Sequence, residues 1–238
     1  MLHLILALDD ASRTILAGGF YESDSTLNNM IVIKEIIKKY GVPCLFYTDN
    51  DSKFKVIRHG QSYYQTYKKE VLEGETLTEI RRALMEVGSG LITHLPYQPQ
   101  AKGKIEKIFR FIEDCFLKHQ KAKDLKELNQ AFQRWISWYD KRDHRSLGLC
   151  PKTMRERLIQ EKKIAFRSLK KGLDLDVIFT LKRERKPNKY NIFHYQGKEY
   201  QLPHDKIIYP GKVELRITPD QKILVFNQEK ELIATLKS

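Results

Sequence analysis

Residues 96–112, PYQPQAKGKIEKIFRFI, constrain the fold of this chain most, because a loop punctuated by proline and glycine runs there directly into an amphipathic helix. Pro96 and Pro99 hold the approach extended, and Gly103 sits just before the apolar period begins. Ile105, Ile108, Phe109, Ile112 and Phe116 then recur at the 3.6-residue period that turns one helix face toward a core. Lys102, Glu106, Arg110 and Glu113 line the edge of that stripe. Taken alone, they read as a solvated flank with favourable i, i+4 charge pairs.

A second segment gives Glu106 another meaning. CLFYTDN, residues 44–50, is a short apolar run rich in β-formers that stops at Asp49 and Asn50. Open α/β sheets bind ligands just beyond the carboxyl ends of their strands, so Asp49 stands where chemistry is usually done. Asp and Asn are also ordinary turn residues. The combination of a strand-end Asp with Pro-Tyr-x-Pro-x-x-x-Gly-x-x-Glu on a helix is more specific than either half.

Together these residues resemble the catalytic core of retroviral integrases and bacterial insertion-sequence transposases, the acidic-triad enzymes with a ribonuclease H-like fold. The resemblance matches Thr48, Asp49 and Asn50 to the element bearing the second acid, and Glu106 to the third acid. It also implies DNA contacts for Asn50, Lys102, Lys104 and Arg110, with Gly103 as the loop glycine. Residues 138–158, WYDKRDHRSLGLCPKTMRERL, are similar to the stretch that follows the core in many such transposases. The likeness runs over roughly residues 2–160.

The resemblance implies metal-dependent DNA strand transfer in DNA integration or transposition. Such sites use two divalent ions about 4 Å apart, one activating the attacking oxygen and the other stabilising the leaving one. Mg²⁺, or Mn²⁺ in its place, wants hard oxygen ligands, which is why acids carry the site. Asp49 and Glu106 would each hold one ion. In the family the acid shared by both ions lies on the first strand, and this sequence reads as starting one strand later. The two-ion site is therefore expected only if an upstream Asp is supplied. Asp9 and Asp10 do not replace it, since the family's sheet order puts them on the order of 20 Å from Asp49, and they read as a turn beside Ser12 and Arg13. The alternative to a catalytic role is a non-catalytic DNA-binding remnant or a regulator of transposition. An unrelated ribonuclease H-like nuclease is a third reading, which a preference for RNA–DNA hybrids over DNA ends would favour. The implied partners are mobile-element ends and target DNA, with a homo-oligomer as the active form.

Charge agrees with a polyanionic partner. The chain carries 43 Lys and Arg against 30 Asp and Glu, a net charge of +13. Residues 1–150 contribute +4 and the remainder +9. Lys and Arg contacts to phosphate supply most sequence-independent nucleic-acid affinity, although a basic chain also suits a membrane surface or a ribosome. Cys44, Cys115 and Cys150 are too widely spaced for a disulfide framework or a zinc site. The apolar start has no basic leader and meets Asp9 and Asp10 at once, and no run approaches a membrane span. A soluble cytoplasmic protein without membrane contact is expected.

Along the chain, residues 2–8 and 13–20 read as a hairpin, and Ser25 caps a helix over residues 26–40 that Gly41 and Pro43 stop. A helical stripe from Leu77 to Val87, a strand over residues 91–95 and a helix from Leu125 to Tyr139 follow. Charged, helix-like sequence continues to Lys171. Short alternating runs at 190–195, 198–202, 212–217 and 222–225, separated by turn residues, predict a small β-barrel like that of Mu-type transposases. The expected architecture is thus an α/β, ribonuclease H-like mixed sheet lacking its first strand over residues 1–160, a basic linker over 161–185, and an all-β barrel over 186–238.

Overall fold

β1 (His3–Leu8) is apolar beyond its first residue and pairs antiparallel with β2 (Ile15–Tyr21), His3 opposite Tyr21 and Ala7 opposite Ala17. A computed structural model of the chain describes residues 1–49, 51–54, 77–93, 103–203 and 208–237. α1 (Thr26–Tyr40) starts where the Ser25 hydroxyl accepts from the Asn28 N–H at 3.2 Å. It ends at Gly41, whose φ of 88° suits glycine, and a Cβ there would meet the Arg167 carbonyl at 2.6 Å. β3 (Val42–Pro43) follows, then β4 (Leu45–Thr48). α2 (Glu79–Val87) is capped by Thr78 and stopped by Gly88 in the left-handed region. It leads into β5 (Gly90–Thr93), parallel to β4 with Leu45 opposite Gly90 and Thr48 opposite Thr93. Residues 94–95, expected as strand, lie outside the described residues, as does most of the stretch from 51 to 75.

The β1–β2 hairpin and the β4–β5 pair are separate two-stranded sheets. Both lie under α1, because Ile5, Ala7 and Leu16 from the hairpin and Phe46 from β4 share a cluster with Val32 and Ile36. On the hairpin's other face Leu4, Leu6, Leu8, Ile15 and Phe20 meet α3 (Gly103–Cys115) and α4 (Leu125–Tyr139). β1 therefore buries side chains on both faces while pairing along one edge among the described residues. This layered arrangement of helices on sheets is α/β.

The helical reading up to Lys171 is corrected. α5 (Pro151–Gln160) ends at Glu161, Lys162 takes a φ of 54°, and the chain returns as β6 (Phe166–Arg167), antiparallel to β3. The Arg167 guanidinium donates to the carbonyls of Val87, at 3.1 Å, and Gly88, covering the end of α2. The strap of residues 161–171 thus joins α1, β3 and α2, and the chain divides into compact units at Met1–Lys171 and Gly172–Ser238.

The second unit opens with α6 (Leu175–Ile178) and carries β7 (Leu181–Arg185), β8 (Ile192–Tyr195), β9 (Lys198–Gln201), β10 (Val213–Ile217), β11 (Lys222–Phe226) and β12 (Leu232–Lys237). Its antiparallel sheet has the order β12-β11-β10-β7, and β8–β9 is a separate hairpin. Among the described residues these strands do not close into the expected barrel, because no ladder joins the hairpin to the sheet. Side-chain packing links them instead, with Phe193, Tyr195 and Tyr200 of the hairpin against Leu215, Ile223 and Val225.

Candidate functional site

Asp49 follows β4 directly and is exposed. Its Oδ1 accepts from the Asp51 N–H at 3.3 Å. Asp51 is held in turn by Lys53, whose N–H donates to it at 3.0 Å and whose ammonium lies 2.9 Å from both Asp51 and Asp24. The Lys53 backbone hydrogen bond, with the Lys53 ammonium behind it, keeps the Asp51 carboxyl below its usual range. Glu106 occupies the first turn of α3 and Arg110 the next, both exposed. Lys104 ion-pairs with Asp10 at 2.6 Å, so much of its charge is answered within the protein. Asn50 and Lys102 lie outside the described residues.

The two early aspartates are engaged elsewhere. Asp9 accepts from the Ser12 N–H at 3.0 Å and from the Ser12 hydroxyl, and its Oδ2 lies 3.9 Å from the Arg155 guanidinium. The turn is fixed to α5 a second time, since the Thr14 hydroxyl donates to the Pro151 carbonyl at 3.3 Å. These contacts make Asp9 a structural turn residue. Among the described residues no group of three or more His, Cys, Asp or Glu side chains could hold a metal ion.

Two residues in this region escaped the sequence reading. Arg155 is buried, with its guanidinium over the rings of Tyr40 at 4.5 Å and Phe166 at 4.8 Å. Asp140 ends α4, and burial pushes its carboxyl up to about 6 against the opposing pull of the Ile15 N–H, Lys39 and Arg155. An acid whose pKa is raised on folding holds its proton more tightly in the native state, so stability is lost as the pH climbs from about 4 to about 6. Two units would amount to about 3 kcal/mol, reduced to about 1–2 kcal/mol because the group keeps considerable solvent access. Urea titrations at pH 4.5 and 7.5 should therefore show the parent losing about 1–2 kcal/mol relative to Asp140→Asn. Parallel pH profiles for the two proteins would contradict this assignment.

Residues 87–151, from the end of α2 through α3 and α4, match the family described as integrase core domain. The chain is 25% identical over 166 residues to a putative transposase, y4bF, of Sinorhizobium fredii, a match covering 64% of this chain and 34% of that protein. It is 27% identical over 142 residues to the transposase for insertion sequence IS1202 of Streptococcus pneumoniae, covering 58% of this chain and 28% of that one. The matched regions thus span about a third of the length of these relatives. A crystal structure of the catalytic core domain of BIV integrase superposes with a TM-score of 0.44 at 15% identity, covering 67% of this chain and 88% of that one. Over these stretches the chain is distantly related to the integrase core domain and to transposases. Among the described residues no helix is long and apolar enough to cross a membrane.

Proposed function

We propose that this chain is a DNA-binding region of an integrase-type transposase, of ribonuclease H-like fold, which does not join DNA strands by itself. The observation that carries the reading is the integrase-core match over residues 87–151, which contains Glu106 and its helix, in a chain of net charge +13. Phosphate neutralisation by such a chain is sequence-tolerant and strongly salt-dependent. The partners in this reading are mobile-element ends and target DNA, and the named relatives supply the analogy.

A second reading, metal-dependent strand transfer, draws on the exposed carboxylates of Asp49 and Glu106. They would be the catalytic acids and the ligands of Mg²⁺ or Mn²⁺. A shared ion pair needs a further carboxylate, and Asp9 is held in its turn by Ser12 beside Arg155.

The binding claim is tested on the full chain with a 30-base-pair duplex of arbitrary sequence. Affinity should fall at least about tenfold between 50 and 200 mM salt. Asp49→Asn and Glu106→Gln should bind as tightly as the parent, since neither removes a cation. Affinity indifferent to salt, or no affinity, would remove the basis for a DNA-binding function.

A further inference from the structure

The position of the boundary at Lys171 redistributes the charge. Gly172–Ser238 holds 12 Lys and Arg against 9 Asp and Glu, only +3. Residues 151–171 hold 8 against 2, so these 21 residues carry +6 of the chain's +13. In the second unit, four of these twelve cations lie beside acids: Lys182 and Arg216 flank Glu214, Lys212 meets Glu184, and Lys222 meets Asp220.

Within 151–171 the basic residues do two jobs. Arg155 and Arg167 face the protein, the first between the Tyr40 and Phe166 rings and the second on the carbonyls that end α2. They anchor the segment at two places, in α5 through Arg155 and at β6, where Phe166 and Arg167 also pair with β3. Lys152, Arg157, Lys162, Lys163, Lys170 and Lys171 are exposed. Glu156 and Glu161 pair with some of them, at 4.0 Å from Lys152, 2.7 Å from Arg157 and 2.8 Å from Lys163. Such exposed pairs are weak, and the outward side chains still total +4.

We infer that α5 and the strap of residues 161–171 form the principal phosphate-binding surface of this chain, in place of the β-rich second unit. The surface begins where the integrase-core match ends, at residue 151, and the inference rests on the DNA-binding reading above. A segment fixed at two places presents its cations at less ordering cost than a free basic tail meets on binding, so each contact retains more of its attraction. Lys170 and Lys171 continue the basic run in sequence to the last residue of the first unit.

Two four-site variants of the full chain separate the possibilities. One carries Lys162→Gln, Lys163→Gln, Lys170→Gln and Lys171→Gln; the other carries Lys186→Gln, Lys189→Gln, Lys198→Gln and Lys230→Gln. All eight lysines are exposed. Against the 30-base-pair duplex, the strap variant should bind at least about tenfold more weakly, with the log–log salt slope reduced by about 3 to 4, while the second variant stays within about threefold of the parent. Hydrogen exchange on the unmodified chain gives an independent reading, with duplex-induced protection concentrated in residues 151–171. Equal or greater loss in the second variant, an unchanged strap variant, or protection confined to residues 172–238 would overturn the inference and leave DNA binding intact. A parent chain without duplex affinity would overturn both.

Discussion

Replacing Phe132 with alanine should lower the unfolding free energy by about 4 kcal/mol, the largest single effect expected in the first unit. Phe132 is fully buried where three elements meet: its ring lies 5.1 Å from Phe20 of β2, 5.2 Å from Phe116 just beyond α3 and 5.9 Å from Trp135 of α4. Removing the ring leaves a cavity lined by rigid aromatics, which collapse poorly, so the transfer and cavity terms both count. Phe132→Leu retains most of the volume and should cost less than half as much. Urea unfolding followed by tryptophan fluorescence reports directly, because Trp135 belongs to the same cluster. An alanine variant within about 1 kcal/mol of the parent would show that this cluster is not the core of the unit.

Arg155→Ala should cost about 3 kcal/mol, for a different reason. The guanidinium is buried between two rings and stands beside Asp9, so its loss removes both cation–π contacts and leaves a partly buried carboxylate facing less positive charge. The double variant Asp9→Asn with Arg155→Ala, which removes both charges, should lose less than the sum of those two single variants. If the two single effects simply add in the double variant, Asp9 and Arg155 are not coupled, and the structural role given to Asp9 fails.

The elements legible in the sequence were those whose signals are local. The stripe from Leu125 to Tyr139 gives α4, and its buried residues Phe132, Trp135, Ile136 and Tyr139 are those the helical period selects. Ser25 and Gly41 mark the ends of α1 because caps are short-range chemistry. In α3 the period was right but one member of the stripe differed, since Phe111 packs with Trp135, Trp138 and Tyr139 on the neighbouring helix.

What the sequence hid depends on distant partners. β3 and β6 pair only two residues each across more than a hundred positions, too little for any periodicity. β7 reads Leu-Lys-Arg-Glu-Arg, with no apolar alternation, and becomes a strand because β10 lies alongside it. Nothing local in the sequence sets Arg155 apart from the other cations of α5; its burial depends on the Tyr40 and Phe166 rings. The charge division was misleading for the same reason, since the position of the boundary follows from where β6 docks. For the candidate site, the motif drew attention to Asp49 and Glu106, whereas the engagement of Asp9 and Asp10 by Arg155 and Lys104 emerged only from the fold.

The most direct test of the central claim is a donor-end joining assay on residues 1–238 with Mg²⁺ or Mn²⁺, run beside a binding measurement on the same duplex. The account predicts salt-sensitive binding with no joined product, and binding unchanged by Asp49→Asn or Glu106→Gln. Robust joining by this chain alone, abolished by either substitution, would contradict it.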